Sequence, residues 1–389
     1  MNIPITKPYF DDKEARAVAE VLKTGWVVQG PKVTAFEIAI SKFTGAPYSI
    51  ATSSCTTGLH LCLRALEIGP ADEVIVPAFT FIASANACEY VGAKPIFVDI
   101  ELETFNLDPE KITEKITKKT RAIMPVHLFG LAANMGEILK IARKFRLKII
   151  EDAACGIGTK YLPKGKAGLN RHVGTIGDMG ALSFHPRKSI TTGEGGMVMT
   201  KTKNLAEKIK SLRDHGAVTS DLARHKKQSH QLSKYPYLGY NYRLTDIQAS
   251  IGLEQVKKLK KILNLRIEKA QKYNQTFKNH PYLQPPFIPA YSNHAYQSYV
   301  LLLKKNSPLK RDEIAEHLSK IGIAVRQGTQ NVPLLDFYRK KYGFKKTDFP
   351  NALYAEKNTL TIPLYSQMTE KEQNYVIENI LKIFKNPKS

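Results

Sequence analysis

Cysteine is scarce in this chain: Cys55, Cys62, Cys88 and Cys155 are the only four in 389 residues. They are widely spaced and never fall at metal-ligand intervals. That argues against a disulfide framework and against a metal site, and for a reduced, cytoplasmic setting. Long apolar runs are missing too. No stretch reaches the ~20 residues that a membrane-spanning helix needs, and residues 1–7 lack the apolar core of a secretory signal. Acidic residues are outnumbered, 35 against 58 Lys and Arg, which leaves a formal net charge of +23. Such a charge first suggests nucleic acid. Yet the lysines scatter over many faces, with Lys257, Lys258, Lys260 and Lys261 on one helix and Lys340 and Lys341 on another. No helix-turn-helix, zinc finger or aromatic-basic platform accompanies them, so nucleic acid is not the expected partner. A polyanionic small substrate would gain from the same positive field. Internal repeats and low-complexity tracts are also absent. What remains is 43% hydrophobic and 24% charged, a globular composition with length for two or three domains.

The periodicity predicts an amphipathic helix over 11–24, with Ala15, Val18, Val21 and Leu22 on one face and Gly25 as the stop. A second helix follows Pro31, with Phe36, Ala39, Ile40 and Phe43 at helical spacing. Apolar strand-like runs then recur at 73–76, 95–98, 121–126, 147–150 and 179–184, with helical stretches such as 135–145 between them. This rhythm is that of an α/β domain with a mostly parallel sheet. From residue 244 the pattern changes. A lysine-rich helix spans about 245–263, followed by strand-like runs at 299–303 and 359–362 and helices at 312–321 and 370–384. The expected division is a large α/β domain over 1–250 and a smaller α+β domain over 251–389.

In open parallel sheets, ligands bind beyond the carboxyl ends of the strands, so those ends carry the functional reading. Ser183-Phe-His-Pro-Arg-Lys188-Ser-Ile-Thr-Thr-Gly-Glu-Gly-Gly196 places one lysine in a glycine-flanked turn between two apolar runs. A desolvated lysine loses proton affinity, and its neutral amine attacks carbonyls. Lys188 therefore reads as the Schiff-base lysine for pyridoxal 5′-phosphate, or as a strand-edge lysine beside a Gly-rich hairpin. Asp152, just past the run at 147–150, suits the protonated pyridine nitrogen of that cofactor, or a helix cap, or a metal. Thr52-Ser-Ser-Cys-Thr-Thr-Gly58 precedes a helical run and offers hydroxyls and free amides to a phosphate. Simple N-capping uses the same groups. Phe79 or Phe81, after the run at 73–76, could stack on a cofactor ring, or both could be core.

These stations, with Thr24-Gly-Trp26-Val-Val-Gln-Gly30-Pro31, Pro77-Ala-Phe-Thr-Phe81, Val126-His-Leu-Phe-Gly130, Glu151-Asp152-Ala-Ala and Gly239-Tyr-Asn-Tyr-Arg243, resemble the DegT-type sugar aminotransferases. The match extends over nearly the whole chain. The resemblance implies fold-type I architecture, with a mostly parallel seven-stranded sheet in the large domain. It also implies Lys188 as Schiff-base lysine and proton shuttle, Asp152 on the pyridine nitrogen, and Phe81 on the ring. Cys55, Thr56 and Ser183 would hold the phosphate, and Asn241 would reach it across the interface of a homodimer with shared sites. Cys155 stands beside the ring where relatives usually carry Gln or His. Residues 327–331 replace a His-containing segment of many members. Trp26, His185 and Arg243, with the basic loop Arg224-His-Lys-Lys227, are candidates for substrate contact, although His185 and the loop could equally be solvated surface.

The implied reaction is a ping-pong transfer from an amino acid, L-glutamate, to a keto-sugar on a nucleotide diphosphate, at the sugar C4. Two alternatives stay open. Dehydratases of the same fold carry histidine at the lysine position, which Lys188 does not match. A regulatory role would call for a DNA-reading module, and the sequence has none.

Overall fold

The computed structural model describes residues 1–162, 170–219 and 233–385. Seven strands build the central sheet: β1 (Tyr48–Thr52), β2 (Glu73–Pro77), β3 (Lys94–Val98), β4 (Thr120–Ile123), β5 (Lys148–Asp152), β6 (Met179–Ser183) and β7 (Gly196–Thr200). Their order across the sheet is β1-β7-β6-β5-β4-β2-β3. Neighbours from β3 through β6 pair in parallel, whereas β7 pairs antiparallel with both β6 and β1. The expected α/β class and mostly parallel seven-stranded sheet are both present. β1 was not legible as a strand, because Tyr-Ser-Ile-Ala-Thr mixes polar and apolar residues without a clear alternation.

The sheet is buried on both faces, and successive residues feed opposite cores. Val74 and Val76 join one apolar cluster with Leu59, Leu63 and Phe97. Ile75, between them, joins the other with Phe36, Ile40 and Ile138. The same alternation separates Ile150 from Ile149 and Val198 from Met197. The helices packed around the sheet include α1 (Asp12–Thr24), α2 (Pro31–Thr44), α3 (Cys55–Ala65), α4 (Ala83–Tyr90), α5 (Met135–Phe145) and α6 (Lys203–Arg213).

The long helix, α7, runs from Asp246 to Phe277, past the expected end at 263. Its buried face changes partner along its length. Leu259, Ile262 and Leu263 pack with the sheet cluster, and Ala270, Tyr273 and Phe277 pack with a third cluster. That third cluster surrounds the antiparallel sheet of β8 (Leu283–Gln284), β9 (Tyr299–Leu303) and β10 (Thr359–Ile362). Helices α8 (Arg311–Lys320) and α9 (Glu370–Lys385) cover it through Ile314, Leu318, Val376 and Ile380. Ile3 is also buried in this cluster and bridges Ile323. β9 faces both ways: Leu301 lies in the third cluster, and Val300 and Leu302 lie in the first.

Candidate active site

Asp152 ends β5 and Glu151 precedes it, so strand alternation sends the two carboxylates to opposite sides. Asp152 reaches the cavity. Its Oδ2 accepts a hydrogen bond from Ser84 Oγ at 2.7 Å, and its Oδ1 accepts from the Ala154 amide at 3.1 Å. Ser84 is fully buried at the start of α4 and had not been singled out from the sequence. Its hydroxyl lies 3.2 Å from that of Thr80, four residues earlier, but Thr80 sits in a strand pairing rather than a helix, so no spacing marked Ser84 in the sequence.

Glu151 is fully buried beneath the site. It accepts backbone N–H bonds from Gly174, Ile176 and Gly177, each at 2.7 Å. Its fourth partner is His127 Nε2 at 2.8 Å. The Ala133 amide donates to His127 Nδ1, which leaves the ring proton on Nε2, pointing at the carboxylate. Burial alone would push the Glu151 carboxyl up. The His127 hydrogen bond and the Gly177 and Gly174 amides outweigh it and hold the group below its ordinary value.

Lys188 follows β6 in a turn closed by its own amide donating to the His185 carbonyl at 2.8 Å. The side chain is half-buried, and Nζ lies 3.2 Å from Cys155 Sγ. Gln297 Nε2 donates to the Arg187 carbonyl at 2.7 Å and pins the same turn. His185 sits 4.0 Å from Glu194. Burial holds its ring below the ordinary histidine value; Glu194 opposes that, and Arg187 and Lys188 add to it.

The α3 N-terminus closes the far end. Ser54 is its N-cap, and Ser54 and Thr57 exchange side-chain and backbone hydrogen bonds in a capping box. The Cys55 and Thr56 amides occupy the first two helical positions, where donors have no intrahelical partner. The Cys55 thiol points away and donates to the Ala181 carbonyl at 3.5 Å, so only its backbone is placed for an anion. Gly196 lies directly under this turn. A side chain there would collide with the Ser54 carbonyl and the Cys55 amide, which explains the last glycine of the lysine motif.

Cys55, Thr56, Phe81, Asp152, Cys155, Ser183, His185 and Lys188 all line one cavity of about 410 Å³. Phe79 is fully buried against Phe105, whereas Phe81 leaves 55% of its surface exposed in the cavity. The small sheet supplies the opposite wall. Gln330 and Asn331 pair antiparallel with Thr80 and Phe79, bringing Arg326, Gln327 and Thr329 to the opening. Three expected residues lie outside this lining. Trp26 donates from Nε1 to the Gln29 carbonyl at 3.2 Å. Arg243 pairs with Asp214. Asn241 is exposed, its backbone bridging Asp214. The loop Arg224-His-Lys-Lys227 falls outside the described residues. A wider opening of about 870 Å³ lies between α2 and α6, and among the described residues none of the expected groups lines it.

These residues fit pyridoxal phosphate. An exposed aromatic face, a carboxylate held by two donors, a lysine amine and a capped helix N-terminus surround one space of suitable size. Among the described residues, no helix is long and apolar enough to cross a membrane.

Comparison with known proteins agrees with the geometry. The chain is 37% identical over 387 residues to the spore coat polysaccharide biosynthesis protein SpsC of Bacillus subtilis, covering 98% of this chain and 97% of SpsC. Its fold matches Spr1654 of Streptococcus pneumoniae in the PLP form, with TM-score 0.91, 30% identity and 100% of both chains covered. PseC of Helicobacter pylori, an aminotransferase of pseudoaminic acid biosynthesis, matches with TM-score 0.90 at 26% identity, over 99% of this chain and 100% of PseC. The expected cofactor, pyridoxal phosphate, and the expected class, sugar aminotransferase, both stand. The matching family model spans residues 8–381, and the chain belongs to the DegT/DnrJ/EryC1/StrS aminotransferase family.

Proposed function

We propose that this protein, acting as a cytoplasmic homodimer, moves an amino group from L-glutamate to the C4 carbon of a keto-sugar carried on a nucleotide diphosphate. The observation that carries the reading is the convergence of Lys188, Asp152, Phe81 and the α3 N-terminus on one cavity between the two sheets. The net charge of +23 suits a substrate with a diphosphate.

Pyridoxal phosphate, when bound, supplies an electron sink for the carbon that loses and gains a proton. The protein's own groups do the rest. Asp152, fixed by Ser84 and Ala154, offers a carboxylate to a protonated ring nitrogen. Phe81 would cover one ring face, and the Cys55 and Thr56 amides with Ser183 would hold the phosphate. Lys188 Nζ is the covalent anchor. Once free, its amine would act as the general base that takes a proton from the substrate carbon and as the acid that later gives one back. Asn241, exposed on its own protomer, would complete the phosphate site of a partner.

The test is a coupled assay. Purified protein with L-glutamate is screened against nucleotide keto-sugars, following 2-oxoglutarate release and the position of the new amine. Turnover on a C4-keto substrate, abolished in Lys188→Ala, is the expected result. Amination at C3, or turnover surviving in Lys188→Ala, overturns it.

A further inference from the structure

We propose that Cys155 and Lys188 form a peroxide-driven covalent lock on the active-site lysine. The two side chains are 33 residues apart in sequence, yet Sγ and Nζ lie 3.2 Å apart on the wall of one cavity. The other cysteines are set differently. Cys62 and Cys88 have no exposed surface, and Cys55 is buried with its thiol on the Ala181 carbonyl. Burial pushes all three thiols above their ordinary range, which keeps them from forming the reactive thiolate. Cys155 is half-buried and opens to the cavity. A sulfur oxidised there meets an amine before it meets a second oxidant molecule. The Gln or His that the family usually carries at this position has no equivalent chemistry.

The lock forms in two steps, with hydrogen peroxide as the oxidant. In the first, the Cys155 sulfur attacks one peroxide oxygen and the O–O bond breaks. Sulfur loses two electrons and becomes a sulfenic acid, and the other oxygen leaves as water with the thiol proton. In the second, the Lys188 Nζ lone pair attacks that sulfur. An S–N bond forms, the S–O bond breaks, and the hydroxide leaves with one amine proton as a second water. One thiol, one amine and one peroxide thus give one sulfenamide and two waters. A dithiol reverses the product to thiol and amine.

Nζ is free only when Lys188 is not bonded to the cofactor, so the lock closes on cofactor-free protein and is barred when the lysine carries the cofactor. That it silences catalysis rests on the proposed role of Lys188. The cross-link itself requires only the contact.

The experiment is mass spectrometry of cofactor-free protein after hydrogen peroxide. The expected intact mass falls by two hydrogens. Trypsin no longer cuts after Lys188, a linked peptide pair carries Cys155 and Lys188, and dithiothreitol restores both peptides. Cys155→Ser and Lys188→Ala each abolish the pair, as does prior borohydride fixation of the cofactor on Lys188. Two outcomes overturn the proposal: Cys155 recovered as sulfinic acid while trypsin still cuts after Lys188 in protein that keeps its native circular dichroism, or a linked pair that persists in Cys155→Ser. Neither bears on the aminotransferase reading, which the 2-oxoglutarate assay judges separately.

Discussion

Ser84 shows how much of this site depends on a residue that need never touch substrate. Its hydroxyl is the shortest contact of Asp152, and removing it leaves that carboxylate with the Ala154 amide alone. A hydrogen bond to a charged group is worth about 1.5–3 kcal/mol. Ser84→Ala should therefore weaken cofactor binding roughly 10- to 100-fold, read by absorbance titration of cofactor-free protein. On the proposed role of Asp152 it should also shift the pH dependence of the bound cofactor's absorbance, because a less firmly held carboxylate would pair less well with the ring nitrogen. A change in thermal stability with neither effect would make Ser84 a packing residue. Glu151, on the other side of the same strand, is a matter of folding. Its folded-state value lies below the ordinary 4.5, so its stabilisation is complete above 4.5 and drains away as pH falls through the lowered value. Glu151→Gln puts an amide N–H₂ among backbone donors. It should cost about 1.5–3 kcal/mol in urea unfolding at pH 7, the range for losing hydrogen bonds to a buried charged group; a loss under 1 kcal/mol would contradict the arrangement described.

Elements were read from the sequence where a single period ran their whole length, and missed where the surroundings decided. α5 and β10 fall where the pattern placed them, at Met135–Phe145 and Thr359–Ile362. α7 was cut short because its apolar face rotates from one cluster to another after Leu263, with buried Arg266 at the changeover. Among the described residues Arg266 has no carboxylate partner; it donates to the Tyr296 and Gln297 carbonyls, an arrangement that no local spacing reveals. Lys188 and Asp152 were legible because motif and strand end coincide. The supports of the site, Ser84, Gln297 and residues 326–329, arrive by tertiary packing and carry no local mark. Asp246 is the clearest case of a residue whose work lies far from its own element. It opens α7, yet its carboxylate accepts from the Gly30, Lys32 and Val33 amides and so caps α2, more than 200 residues earlier. Gly30 has no side chain to cap with, and any Cβ there would strike the Trp26 indole and Asp246 itself. Asp246→Ala should lose about 2–4 kcal/mol, more than an ordinary cap because the carboxylate is buried and triply bonded. Amide hydrogen exchange should quicken first in the opening turn of α2; exchange loss confined to α7 would refute the cross-chain cap.

At the scale of the whole molecule, burial of neutral histidines gives the fold a pH limit well above the carboxylate range. His172 is fixed as a neutral ring, with Nδ1 donating to the Val173 carbonyl and Nε2 accepting from the Gly158 amide. His294 accepts from the Tyr296 amide through Nδ1 and lies flat on the Tyr296 ring, centroids 4.1 Å apart. Burial lowers the two from 6.5 to about 4 and about 3. The sign follows directly. Below pH 6.5 the unfolded chain binds protons at these positions and the folded chain does not, so stability falls as pH falls, until the folded values are reached. Each histidine contributes half of about 1.4 kcal/mol per pH unit at pH 6.5 and nearly all of it by pH 5, so the pair should remove about 3 kcal/mol over that interval. Urea midpoints measured at pH 7.5, 6 and 5 should drop steeply over the last interval. His294→Gln, whose side-chain oxygen can still accept from Tyr296, should lower the acid slope by roughly a third, because His60, which burial also lowers to about 4, keeps its share beside His172. Midpoints that stay level from pH 6.5 to 5 would mean that these rings take up protons inside the fold, and the neutral hydrogen-bond scheme at both positions would have to be abandoned.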